Sequence, residues 1–158
     1  MIHEWGVSVD LILWRHAEAE DGFPDHERKL TAKGERQAAK MAGWLKAHLP
    51  ENARILASPS TRTRQTAAAL SPDYAIVKEL GPGSSVAALL GAAGWPDAKG
   101  AVVVVGHQPT LGQIAAYLLA NSQESWSVKK GAVWWFSNRT RRDEAQIVLK
   151  AVMSPEFL

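Results

Sequence analysis

No cysteine occurs anywhere in the 158 residues, which removes disulfides, thiolate nucleophiles and cysteine-ligated zinc or iron–sulfur centres from consideration. A reducing compartment suits such a chain, and the cytoplasm is the expected location. Also missing is any apolar run of the roughly 20 residues that a membrane-spanning helix needs. Met1 to Ser8 lack a basic start followed by an apolar stretch and a small-residue cleavage site, so no secretory leader is expected. Charge of one sign is scarce too: 18 Lys and Arg against 16 Asp and Glu leave a net +2, too little to draw nucleic acid. Neither a nucleic-acid partner nor a membrane is expected, and the chain is expected to be monomeric.

What is present is a single folded unit. Domains usually run about 100–200 residues, so one domain over residues 1–158 is expected. The 46% hydrophobic content is that of a packed protein rather than a disordered one. Val9 to Trp14 is a short apolar run cut off by Arg15, which reads as a buried strand. Thr31 opens a helix with Ala38, Met41, Ala42, Leu45 and Leu49 at helical spacing, and Pro50 closes it. Arg54 to Ala57 and Tyr74 to Val77 read as strands, and Thr61 to Leu70 and Val86 to Ala93 as helices. Ala101 to Val105 is a fully apolar strand, followed by a helix from Pro109 or Thr110 to about Leu119. Two late strands are expected over 132–137 and 145–152, joined by a polar, arginine-rich connection over 138–144. Strands alternating with helices predict an α/β fold: one three-layer domain, a mainly parallel central sheet with helices on both faces, and an antiparallel edge.

The chemistry gathers at strand ends. Arg15 and His16 follow the first strand, Ser58 and then Arg62 follow the second, and Gly106-His107 follows the strand Ala101 to Val105. In an open α/β sheet the carboxyl ends of parallel strands share one edge, and ligands bind there. An isolated Arg-His pair or Gly-His turn is ordinarily structural. Together, two guanidiniums and two imidazoles on one edge fit a dianion such as a phosphoryl group, because arginine's planar fork matches its oxygens. A neutral imidazole can also attack phosphorus and form a phosphohistidine that water then hydrolyses. Such a cage supplies the positive charge that a metal often supplies, so no metal and no cofactor is expected.

These residues resemble a known family. Arg15-His16-Ala17, Ser58-Pro59 with Arg62-Thr63-Arg64-Gln65-Thr66-Ala67, and Val105-Gly106-His107-Gln108-Pro109 are similar, in order and placement, to the motifs of the histidine phosphatase (phosphoglycerate mutase-like) superfamily. Ala17 and the segment Asp25-His26-Glu27-Arg28-Lys29-Leu30-Thr31 resemble its SixA-type phosphohistidine phosphatases, with Lys29 where that branch has proline. The resemblance implies that His16 accepts the phosphoryl group, that Arg15 and Arg62 grip its oxygens, and that His107 is the second pocket imidazole. Arg28 is implied to reach the phosphate from its loop. Arg64 falls between the matched positions and reads as a surface charge.

Ester-cleaving members need a carboxyl near the leaving oxygen. The candidates are Glu18, Glu20, Asp21, Asp25 and Glu79; none stands out, although Glu18 lies nearest the nucleophile and is taken as a substrate-binding candidate. Imidazole leaves more easily than an alkoxide, and little chain is available for lid insertions between Thr66 and Gly106. The expected activity is therefore removal of phosphate from phosphohistidine on a partner protein, such as a histidine phosphotransfer domain or a phosphotransferase-system carrier. The competitors are a phosphatase or mutase for a small phosphate ester, and a phosphoprotein-binding module without turnover. Of the seven tryptophans, Trp14, Trp44, Trp134 and Trp135 read as packing residues, and Trp95 and Trp126 as loop residues available to a partner.

Overall fold

A computed structural model describes residues 8–158; the side chains of Thr140 and Arg141 lie outside the description, as does the leader reading for Met1 to Val7. The strand β1 (Ser8–Arg15) buries Leu11 and Leu13 on one side and Ile12 and Trp14 on the other. The same alternation divides β4 (Gly100–Gly106) into Val102 and Val104 against Ala101, Val103 and Val105. Apolar runs of this kind mark strands covered on both faces. Between and beside them come α1 (Ala32–His48), β2 (Arg54–Ala57), α2 (Thr61–Leu70), β3 (Ala75–Ile76), α3 (Val86–Ala93) and α4 (Thr110–Ala120), before the final strands β5 (Val133–Arg141) and β6 (Glu144–Met153).

The six strands form one sheet in the order β3-β2-β4-β1-β5-β6. The first four are parallel, β5 runs antiparallel to β1, and β6 antiparallel to β5. Met41, Ala42 and Leu45 of α1 and Ala67 and Leu70 of α2 pack on the face carrying Ile12, Trp14 and Val103. Leu89 and Leu90 of α3 and Leu111 and Ile114 of α4 cover the other face. The domain is the three-layer α/β arrangement expected from the element order. No helix among the described residues is long and apolar enough to cross a membrane.

Local signals set the helix ends. Thr31 caps α1 by accepting from the Gly34 amide at 2.9 Å, and Ser85 caps α3 through the Ala88 amide at 3.0 Å. Gly94 ends α3 in the left-handed region at φ 78°. The polar connection expected over 138–144 is instead mostly strand, reduced to a turn in which Arg142 and Asp143 take φ 53° and 64°. Most of β6 faces solvent, so polar residues belong in the strand and their presence does not signal a loop. Arg139 pairs with Ser8 at the start of β1, which puts this hairpin tip at the opposite end of the sheet from Arg15. Trp95 and Trp126 lie outside the helices and strands, as expected, and each is half-buried with part of its ring against the core.

The same packing positions the segment after β1. A Cβ built on Gly34 would lie 2.0 Å from the Glu18 carbonyl oxygen, so the first turn of α1 rests directly on the backbone that follows His16. Gly34→Ala is therefore expected to destabilise the fold by about 1–3 kcal/mol through overpacking, read as a lower denaturant midpoint. An unchanged midpoint would show that this contact is slack.

Candidate active site

Parallel register brings three strand ends level. Arg15 lies opposite Gly106, and Ala57 opposite Val105, so His16, His107 and Ser58 each leave the sheet at the same edge. The His16 amide donates to the Gly106 carbonyl at 3.2 Å and the Ser58 amide to the Val105 carbonyl at 3.2 Å, locking the three exits together. Arg62 comes from the first turn of α2, which begins directly after β2. A cavity of about 230 Å³ opens there, lined by Arg15, His16, Arg28, Arg62, His107 and Lys130 among others.

The imidazoles stand with ring centroids 5.3 Å apart. His16 Nδ1 is 2.8 Å from the Ala17 carbonyl oxygen, which can only accept, so Nδ1 carries the proton and Nε2 the lone pair. Burial pushes the His16 pKa down to about 4, helped by the charges of Arg62, Arg15 and Arg28 and opposed by the Ala17 bond. The ring is neutral at physiological pH.

His107 is tied the other way round. Arg62 Nη2 lies 3.4 Å from its Nδ1 and can only donate, so Nε2–H donates to Ser58 Oγ at 2.7 Å. Thr63 spends its hydroxyl proton on the carbonyls of Ser58 and Ser60, both at 2.9 Å, and so receives the Ser58 proton at 2.7 Å. This buried chain fixes the orientation of His107. Burial first, then the neighbouring His16 and Arg62, push its pKa down to about 3.

The guanidiniums have capacity left over. Arg62 donates Nη1 to the Asp25 carbonyl at 2.9 Å and Nη2 to the Asp25 carboxylate at 3.1 Å, while its buried Nε has no partner. Arg15 donates Nη1 to the Val128 carbonyl at 2.8 Å, its Nε is likewise buried without a partner, and burial lowers its pKa. Both guanidiniums line the cavity, so an anion entering it meets two positive charges with forked donors. Arg28 also faces the cavity, held by Asp25 at 3.1 Å and by the Glu20 carbonyl at 3.2 Å.

The carboxyl candidates separate by position. Glu18 does not line the cavity: its carboxylate accepts from the Thr31 hydroxyl at 2.8 Å, at the start of α1, which corrects its place as a substrate-binding residue. Glu20 and Glu79 also lie off the cavity lining, whereas Asp21 is on it. Asp25 bridges Arg62 and Arg28; loss of solvation pushes its carboxyl up, but the bonds and charges of those two arginines outweigh this and hold it below the ordinary carboxylate range. Asp25 is the counter-ion of these two arginines. Arg64 does not line the cavity either, and its Nε is buried without a partner, so it is less exposed than a surface charge.

Sequence reasoning missed Lys130 and the Ser58–Thr63 chain. Lys130 arrives on the long segment after α4, which is pinned where the Gly131 amide donates to the carbonyls of Arg15 and His16 at 3.1 Å and the Trp14 indole donates to the Gly131 carbonyl at 3.1 Å. Nothing local marks that return, whereas Ser58 was visible as the first residue after β2. Among the described residues no group of three or more His, Asp or Glu side chains is gathered as a metal-ligand set.

The model of the histidine phosphatase superfamily (branch 1) matches residues 11–80, which include Arg15, His16, Arg28 and Arg62. An uncharacterized protein of Picosynechococcus is 33% identical over 168 aligned residues, covering 95% of this chain and 99% of that protein. The chain belongs to the histidine phosphatase superfamily. This histidine phosphatase is SixA-like in its fold. A Nakamurella multipartitia protein assigned as phosphohistidine phosphatase SixA superposes with TM-score 0.79 at 29% identity, over 96% of this chain and 98% of that one. The protein histidine phosphatase SixA in complex with tungstate gives TM-score 0.78 at 25% identity, over 94% and 98%.

Neutral imidazoles in a folded histidine phosphatase have a pH consequence. In the unfolded chain both rings gain protons near the ordinary 6.5, whereas folded His16 resists to about 4 and His107 to about 3. Their contribution to stability is present above pH 6.5 and is lost as pH falls through that window toward the folded values. In ¹H–¹⁵N spectra at pH 5.5 both rings are expected to be neutral, His16 as the Nδ1–H tautomer and His107 as the Nε2–H tautomer. Ordinary titration near 6.5 would contradict the burial argument.

Proposed function

We propose that this histidine phosphatase removes the phosphoryl group from phosphohistidine on a partner protein, using His16 as the transient acceptor. The observation that carries the reading is the His16 ring: neutral, tied through Nδ1 to the Ala17 carbonyl, with its Nε2 lone pair free in a cavity of cations. In the first step Nε2 attacks phosphorus, the P–N bond of the substrate breaks, and its electron pair leaves with the substrate imidazole, which takes a proton from solvent. In the second, water attacks phosphorus and gives up a proton to solvent, the electron pair of the bond to His16 returns to Nε2, and inorganic phosphate departs. Arg15 and Arg62 hold the equatorial oxygens, Arg28 and Lys130 add positive charge at the rim, and His107 stands beside His16 as the second pocket imidazole, stabilising the transferring group.

The substrate side of the reading rests on the carboxyl positions. Asp25 is paired with two arginines and Glu18 with Thr31, which leaves Asp21 as the one candidate carboxyl on the cavity lining for protonating an alkoxide. An imidazole leaving group needs less help, and the likeness to a protein histidine phosphatase, SixA, supports the same reading. The partner is a histidine phosphotransfer domain or a phosphotransferase-system carrier, and no metal takes part. The test compares a phosphohistidyl carrier protein with phosphoserine peptides and small phosphate esters. Phosphohistidyl protein is expected to be hydrolysed at least about tenfold faster in kcat/KM; faster ester hydrolysis would overturn the substrate, and tight binding without turnover would favour a phosphoprotein reader.

A further inference from the structure

The loop joining β1 to α1 holds an aromatic ring out in water. Phe23 is 98% exposed, more than any other large apolar side chain among the described residues. Leaving such a ring in solvent forgoes the stabilisation that burial would bring. The loop that carries it is not slack. Ala19 bridges to Leu30, the Glu20 amide donates to the Lys29 carbonyl at 2.8 Å, and the Leu30 amide donates to Gln65 Oε1 at 2.8 Å. Arg28 and Arg62, both lining the phosphoryl cavity, donate to the Glu20 and Asp25 carbonyls of this same loop. Phe23 is thus presented by a frame that the active-site arginines themselves hold.

A shallow cleft of about 180 Å³ runs along the loop beside Phe23 and Pro24, and shares Asp21 and Arg28 with the phosphoryl cavity. The cavity itself, about 230 Å³, has room for a phosphoryl group and an imidazole but not for the body that carries them. A macromolecule delivering a phosphorylated side chain must lie across the rim, whereas a small phosphoramidate need not touch it. Rigid aromatic side chains at such rims contribute a disproportionate share of binding energy, because little entropy is lost when they are covered.

Resting on the reading that the substrate is a phosphohistidyl protein, we propose that Phe23 is a docking contact for that protein, seated in an apolar depression of the surface next to its phosphohistidine. The role is in substrate selection and not in the chemistry. It predicts a split between substrates: in Phe23→Ala and Phe23→Asp, kcat/KM for a phosphorylated phosphotransferase-system carrier and a phosphorylated histidine phosphotransfer domain falls at least tenfold through KM. For phosphoramidate it stays within twofold, and thermal midpoints stay unchanged because the ring packs on nothing. Unaltered kinetics on both phosphoproteins would overturn the docking role while leaving the proposed function intact. Equal losses on phosphoramidate would also overturn it, making Phe23 a cover for the cavity instead. Wild-type protein that hydrolyses phosphoramidate but neither phosphoprotein would overturn the substrate reading, and the docking role with it.

Discussion

His16→Ala is expected to lower turnover of phosphohistidyl protein on the order of 10⁴-fold or more, because the reaction loses the atom to which phosphorus is transferred. The substitution is structurally mild. The His16 side chain bonds only to the neighbouring carbonyl of Ala17, and the backbone ties of residue 16 to Gly106 and Gly131 do not involve the ring. A folded, inactive variant is therefore the expected outcome, and circular dichroism and thermal midpoints check the folded part of it. The covalent part is checked by mixing wild-type protein with ³²P-phosphoramidate and quenching in alkali. A histidine adduct survives base and is lost in acid, so wild type is expected to carry base-stable label and His16→Ala none. If the variant keeps activity within tenfold of wild type, or label persists without His16, another group accepts the phosphoryl and the proposed mechanism fails.

Replacing Arg62 is expected to reduce kcat/KM about 10²- to 10³-fold, the usual cost of losing one preorganised donor to a transferring group. Arg62 is a buried cation on the cavity lining with a fork already oriented by Asp25 and His107, so its charge is preorganised for an anion. Lysine cannot reproduce this. It offers a point charge without the planar fork, and Arg62→Lys is expected to recover less than a tenth of the loss. Arg62→Met keeps the apolar stem and so separates charge from packing. The same variant is expected to let the Asp25 carboxyl rise toward the ordinary carboxylate range, since the bonds and charge of Arg62 lead the causes that hold it down. Activity of Arg62→Met within threefold of wild type would remove Arg62 from the site, whatever its position.

Much of this was readable before any coordinates. Val9 to Trp14 and Ala101 to Val105 are apolar without interruption by turn residues, and a strand buried on both faces leaves that trace locally. Arg15, His16, Ser58 and His107 were legible as candidates sharing one sheet edge because each is the first polar group after a strand, or directly at its end. The hairpin over 133–153 was less legible. Its polar residues face solvent on an edge strand, and the same composition describes a loop.

The side-chain partnerships were beyond local reading. Glu18 stands two residues from His16, yet the start of α1 claims its carboxylate, whereas Asp25, nine residues away, reaches Arg62 across 37 positions of chain. Proximity in sequence does not say which carboxylate meets the arginines, because a loop's direction depends on what it packs against. Lys130 and the Ser58–Thr63–His107 chain have the same origin: they exist only once β2, β4 and the segment after α4 have closed on one another.

Composition and pattern on their own determined that this chain is one cysteine-free α/β domain with arginines and histidines at the ends of its parallel strands. Strand formation depends on periodicity among near neighbours, and that is written locally. Tertiary structure alone decided which ring nitrogen is free, which carboxylate is spent as a counter-ion, and which guanidinium donors stay unpaired. Those properties belong to hydrogen bonds between residues tens of positions apart, and burial sets their charge states only after the core has excluded water.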